Sequence, residues 1–184
     1  MLVFVAVGAA IAGFAFSSAA NRGDEEVAEG PRSAPASPQK AVLGWEESVG
    51  TGREELVFSV KSLEVLADGW RVDIALENRT NTSYEVGATH TQPFGLMLLS
   101  TGDLKTLEEQ NEAGTLPLIR PASRYEPSLP TILEPGGSWS GTISAPGALA
   151  ANSWVRVVFG TLVSVVDRDE QLSWITDRAH RLTP

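Results

Sequence analysis

The sequence predicts an all-β domain, an antiparallel β-sandwich, set behind an N-terminal hydrophobic helix and a disordered linker. Three observations carry that prediction. Apolar and polar residues alternate at period two through much of residues 44–184, the mark of half-buried strands. Seven to nine such runs recur at spacings of about 8–15 residues, without helical patterning between them. Ahead of them stand an uncharged apolar stretch and then a polar, Pro-containing one, neither with that alternation.

From Leu2 to Phe16 no side chain is charged or polar. Fifteen such residues fit a signal-peptide core; counting Ser17–Ala20, residues 1–20 reach a marginal membrane span, which needs about 20. Ser18 and Ala20 suit the −3 and −1 positions of a signal peptidase site before Asn21, so cleaved signal peptide and retained membrane anchor are both open. The basic segment that normally precedes such a core is missing, which leaves the free amino terminus or an upstream start to supply the charge. Next, Asn21–Lys40 has Val27 as its one large apolar residue, with Pro31, Pro35 and Pro38 spaced along it. Such a segment buries too little to offset its ordering entropy, so residues 21–43 read as a flexible linker. Twenty residues of flexible coil reach roughly 25 Å.

Within 44–184 the strands follow in order. Leu56–Leu66 alternates through Phe58 and Val60, slips at Ser62–Leu63 and resumes at Leu63 and Val65, as in a bulged edge strand. Ala67-Asp68-Gly69 is a hairpin turn. Trp70, Val72, Ile74 and Leu76 then point one way, with Arg71, Asp73 and Glu77 the other. Asn78–Ser83 is a polar turn. Tyr84–Gly87 and Phe94–Leu99 are strands, the second apolar throughout and so buried on both faces. Over Thr101–Pro130 two readings stay open: a short helix capped by Asp103 and running through Asn111, or an irregular hairpin. Pro117, Pro121, Pro127 and Pro130 deny long regular structure there. Thr131–Leu133 leads into a Pro-Gly-Gly turn. Ser138–Ser144, Trp154–Gly160, Leu162–Val166 and Leu172–Ile175 complete the set. Trp70, Trp139 and Trp154 fall on inward faces as core.

Composition narrows the function classes. The chain has 184 residues and a net charge of −9. Only three of its Lys/Arg and four of its Asp/Glu precede residue 41, so the rest carries −8. That balance argues against nucleic acid and anionic lipid, which select basic surfaces. With no cysteine, disulfides, thiolate metal sites, cysteine nucleophiles and lipidation at cysteine are excluded.

Two runs carry a family resemblance. Leu133-Glu-Pro-Gly-Gly-Ser-Trp-Ser-Gly-Thr-Ile-Ser-Ala-Pro followed by Trp154-Val-Arg-Val-Val-Phe-Gly, and Trp70-Arg-Val-Asp-Ile-Ala-Leu-Glu-Asn-Arg-Thr-Asn before them, resemble an immunoglobulin-like domain of bacterial secreted or membrane-anchored proteins. That class includes the mycobacterial immunoprotective extracellular antigen. The matches cover about a third of the domain, and Thr101–Pro130 departs from a compact version as an insertion. The resemblance implies an immunoglobulin-like fold and an extracytoplasmic address, with no catalytic residues to carry over.

No catalytic or metal motif rises above background along the chain. Ser138 and Ser140 lack the Gly-x-Ser-x-Gly spacing and fall on a strand instead of a strand-to-helix turn. His90 and His180 are the only histidines. Asp167, Asp169 and Glu170 form the best carboxylate cluster, a calcium candidate or a solvated hairpin tip. Asn78-Arg-Thr and Asn81-Thr-Ser match glycosylation acceptors. Arg178, His180 and Arg181 make the one local basic cluster. The leading expectation is a non-enzymatic, exported or membrane-anchored module of the cell envelope, without cofactor, that binds an envelope or extracellular protein through loops at Asn78–Ser83, Thr101–Pro130 and Asp167–Glu170. A hydrolase or metal-dependent enzyme using His90 or His180 with nearby carboxylates is the alternative, and a structural spacer is a third.

Overall fold

A computed structural model describes residues 34–51, 54–87 and 93–184. These build an all-β sandwich of two antiparallel sheets with one helix. The elements are β1 (Gln39–Thr51), β2 (Glu54–Val65), β3 (Gly69–Asn78), β4 (Tyr84–Val86), β5 (Gly95–Leu99), α1 (Leu104–Glu112), β6 (Ile119–Pro121), β7 (Arg124–Glu126), β8 (Ile132–Leu133), β9 (Ser138–Pro146), β10 (Trp154–Ser164), β11 (Gln171–Ile175) and β12 (His180–Arg181). The first sheet runs β1-β2-β3-β9-β7. In the second, the long strand β10 is central. β5 and β4 share one of its edges, followed by β6 and β8 respectively, and β11 and β12 line the other.

The alternation of β3 sets the inner face of the first sheet. Trp70, Val72, Ile74 and Leu76 are all buried, and Phe58, Val60, Leu63 and Val65 of β2 meet the same core. The parity change in β2 is a bulge at Lys61, between Val60 and Ser62. It moves the inward set from even to odd positions, as the slipped pattern indicates. β2 is not an edge strand, however. β1 lies outside it, and its own irregularity at Leu43–Gly44 sits opposite the same lysine. The fold therefore starts before residue 44. β1 takes in residues 39–43 of the expected linker, and Pro35 bridges Ala150. The leader and residues 21–33 lie outside the described residues.

The second sheet is covered on both faces. Val155, Val157, Phe159 and Leu162 of β10 and Leu96 of β5 face the first sheet. Val158, Met97 and Leu99 face outward onto Leu107 of α1, with Trp154 beside them. Trp154 is thus on the outer face and not in the inter-sheet core. Residues 154–166, expected as two strands, hold one continuous strand through Ser164, in which Gly160 is the bulged residue opposite β11. Over Thr101–Pro130 the helix prevails over the hairpin. The Asp103 carboxylate accepts from Thr106 N–H at 3.0 Å, satisfying one free amide of the first turn. Without cysteine the sheets adhere by packing, including an edge-to-face pair Phe58–Phe159 with centroids 5.1 Å apart.

Candidate functional site

At one end of the sandwich the chain turns after β3 and before β9, and a single side chain ties the two turns together. Asn78 occupies the next inward position after Leu76 and is fully buried. Its Nδ2 donates to Thr82 O (2.7 Å) and Leu133 O (3.0 Å), while its Oδ1 accepts from Thr80 N–H (3.0 Å) and Thr80 Oγ1–H (2.7 Å). Its backbone exchanges bonds with the Pro135-Gly136-Gly137 turn: Gly136 N–H donates to Asn78 O at 2.7 Å, and Asn78 N–H to Gly137 O at 2.9 Å. Gly136 has φ +71° and a Cβ on Gly137 would meet Glu134 O at 2.8 Å, so both positions require glycine. Ser83 Oγ–H donates to the Glu134 carboxylate. The Asn78–Ser83 turn and the Glu134–Gly137 turn are one hydrogen-bonded corner. The Asn78 side chain is therefore spent inside the corner, and its amide is neither exposed nor free for a glycan; Asn81, three residues on, is exposed.

The β10–β11 tip adjoins this corner. Val165 N–H donates to Ser83 O at 3.0 Å, and the Arg168 guanidinium lies 3.5 Å from the Glu85 carboxylate. Asp167 folds its own turn, its Oδ1 accepting from Asp169 N–H at 3.1 Å. Asp167, Asp169 and Glu170 are exposed, and among the described residues no three His, Asp or Glu side chains gather to hold a metal ion. The calcium candidate reads here as a self-bonded hairpin tip. Above it Val166 is 87% exposed and Val165 46%. Burial, then the Glu170 charge, push the Tyr84 phenol upward from its usual range. The arginines described at this end are paired: Arg79 with Glu55 and Glu77, Arg168 with Glu85. Arg79 holds the Glu77 carboxyl below its usual range by hydrogen bonding. Glu134, Asp167, Asp169 and Glu170 have no ion-pair partner among the described residues.

Arg178, His180 and Arg181 lie elsewhere, along the other edge of β10 and towards its opposite end. β12 pairs His180 with Val155 and Arg181 with Trp154. Burial lowers the His180 pKa, and Arg178 and Arg181 are exposed with no ion pair among the described residues. The segment that carries them is held from two sides. Glu47 of β1 reaches across from the first sheet and accepts from Trp174 Nε1–H (2.9 Å), Asp177 N–H (3.0 Å) and Arg178 N–H (3.4 Å). From the second sheet, the buried Arg156 donates to Thr176 O and to Ile175 O (3.2 Å), with Asp177 at 3.7 Å. Burial lowers the Arg156 pKa, opposed by Asp177 and Glu47. Glu47 and Arg156, unremarked in the sequence, are thus the residues that position the basic cluster.

Within Thr101–Pro130, α1 covers the outer face of the second sheet, β6 extends that sheet beside β5, and β7 joins the first sheet beside β9; Leu118 is almost fully exposed. Ser138 and Ser140 lie on β9, exposed, far from any strand-to-helix turn. His90 is outside the described residues. No helix among those residues is long and apolar enough to cross a membrane. No family model matches the chain, and neither a curated protein nor a solved structure matches it.

Proposed function

We propose that the chain is an exported or membrane-anchored immunoglobulin-like module of the cell envelope, which acts by binding another envelope or extracellular protein. One observation carries the fold part of this reading. Strands β2-β3-β9-β7 follow the order A-B-E-D, and β5-β10-β11 the order C-F-G, of an immunoglobulin sandwich. β1 is then an additional strand outside A. Under this assignment the Asn78–Ser83 turn is the B–C connection and the Val165–Glu170 tip the F–G connection. Those two loops lie at the same end of a sandwich and serve recognition in other members of the architecture. The corner also supports the resemblance drawn from sequence: its two motifs, Leu-Glu-Asn-Arg-Thr and Leu-Glu-Pro-Gly-Gly, bond to each other through Asn78.

The address rests on the apolar leader and polar linker. A membrane-impermeant biotin reagent applied to intact native cells tests it: lysines of the domain such as Lys105, exposed on α1, become labelled if the domain is outside. Protection of Lys105 until lysis overturns the extracytoplasmic reading. Saturable turnover of an ester, glycan or peptide by the purified protein, lost on a point substitution, overturns the binding role in favour of an enzyme.

A further inference from the structure

We infer that the β10–β11 tip with its neighbouring corner is the docking surface for a protein partner that presents an apolar contact ringed by lysine or arginine; the inference rests on the binding-module reading above. Most apolar side chains of the sandwich are buried between the sheets or under α1, yet Val165 and Val166 project at the tip. An exposed valine pair has no structural use in a hairpin turn, where polar residues are the rule. The backbone beneath it is held: Val165 N–H to Ser83 O, Glu170 N–H to Asp167 O at 3.0 Å, Ser164 N–H to Glu170 O at 3.0 Å and Arg168 to Glu85. A loop so fixed loses little conformational entropy on binding, which favours recognition. The surrounding charge selects the partner. Glu134, Asp167, Asp169 and Glu170 outnumber Arg168, the cation described beside them and itself paired with Glu85, so the surface repels anionic lipid and acidic proteins and steers a basic surface.

Position agrees. The chain comes into the domain at Ala34–Ala36, where Ala36 N–H bonds Leu149 O and Ala151 N–H bonds Ala34 O beside the start of β10. The tip follows the far end of that eleven-residue strand, about 35 Å away at ~3.3 Å per residue. Ala34 and the valine tip are at opposite ends of the sandwich.

The test places a photo-cross-linking residue, in the full chain in its native cells, at Val166, at Leu118 on the side and at Arg181 near the opposite end. The expected result is an adduct from position 166 alone, to a peptide carrying lysines or arginines. Its yield falls about tenfold in Asp167→Asn/Asp169→Asn/Glu170→Gln, the sum of three exposed charges. Asparagine at 167 keeps the oxygen that accepts from Asp169 N–H, so the turn is retained. Adducts from 118 or 181 with none from 166 overturn this location and leave the binding module standing. Absence of adducts at all three sites removes both. A 166-to-166 adduct between two copies, a yield unchanged by neutralisation, or an adduct to a peptide without basic residues each overturns the basic partner.

Discussion

Replacing Asn78 is the sharpest test of the corner. In Asn78→Ala the Nδ2 and Oδ1 atoms disappear from a site with no exposure. Leu133 O then lacks this donor in the interior, and Thr82 O and Thr80 N–H lose theirs closer to solvent. A buried polar group without a partner costs about 1–3 kcal/mol, and the two nearer the surface recover part of that from water. The sum is about 3–5 kcal/mol. In a domain of this size it lowers the melting temperature by roughly 6–20 °C. Asn78→Asp separates hydrogen bonding from shape: the carboxylate keeps the two contacts from Thr80 but faces the carbonyls of Thr82 and Leu133 without donors. Burial and those oxygens raise its folded-state pKa above the unfolded value near 4. The deficit of that variant relative to the wild type is then smallest below about pH 4 and grows as pH rises through the folded pKa. Guanidinium unfolding at neutral pH and at pH 4, followed by tryptophan fluorescence, measures both. An Asn78→Ala cost under about 1 kcal/mol, or an Asn78→Asp variant whose deficit does not shrink at low pH, refutes the assignment of Asn78 as the interior tie.

Other expectations follow from neighbouring features. Glu47→Ala removes three bonds to one carboxylate and costs about 2 kcal/mol; hydrogen exchange at the Asp177 and Arg178 amides then speeds up while β3 stays protected. Arg156→Ala leaves the Ile175 and Thr176 carbonyls without their donor and costs about 2–4 kcal/mol, with the same local exchange signature in the 175–178 turn. Asp103→Ala removes the α1 cap for about 1 kcal/mol, read as a lower unfolding midpoint with the slope unchanged. Hydrogen bonds from Ser62 Oγ and Thr142 Oγ1, both 2.6 Å, hold the Asp73 carboxyl below its usual range. A depressed carboxylate stabilises the fold above pH 4 and ceases to do so as pH falls through the lowered value. The stability gap between the wild type and Asp73→Asn therefore narrows on acidification below pH 4, and a gap independent of pH contradicts it.

Much of this architecture was legible wherever one face of a strand is apolar and the other is not. β3 is the clearest case, and the parity slip in β2 announced its bulge. β1 escaped notice for a physical reason: its inward row Ala41, Leu43, Trp45, Glu47, Val49 is broken by a carboxylate, and its outward row carries Val42, 86% exposed. Glu47 is inward because it fastens the other sheet, a tertiary purpose no local pattern encodes. β10 looked like two strands because Gly160 interrupts its apolar run, yet a bulge there leaves the strand intact. Trp154 shares its parity with Arg156 and not with Val155 and Val157, so the alternation of β10 already sets it on the outer face; its size alone suggests core. Asn78 looks like turn composition, yet its spacing from Leu76 continues the inward row of β3, and that parity is the signal of its burial. The adjacency of Asn78–Ser83 and Val165–Glu170 follows from sheet order and could not come from either segment alone.

The fastening of β1 has a mechanical consequence. Gln39 at its start bonds both the backbone and hydroxyl of Thr183, so the two ends of the domain are buttoned together. Tension applied between Ala34 and the Val165–Glu170 tip runs lengthwise along the strands. Ladder hydrogen bonds lie across that direction and must yield together in shear instead of one at a time. Tension between Ala34 and Pro184 would peel the same strand open from its end. A domain held at opposite poles thus bears load in its stronger direction, and one pulled by its neighbouring ends does not.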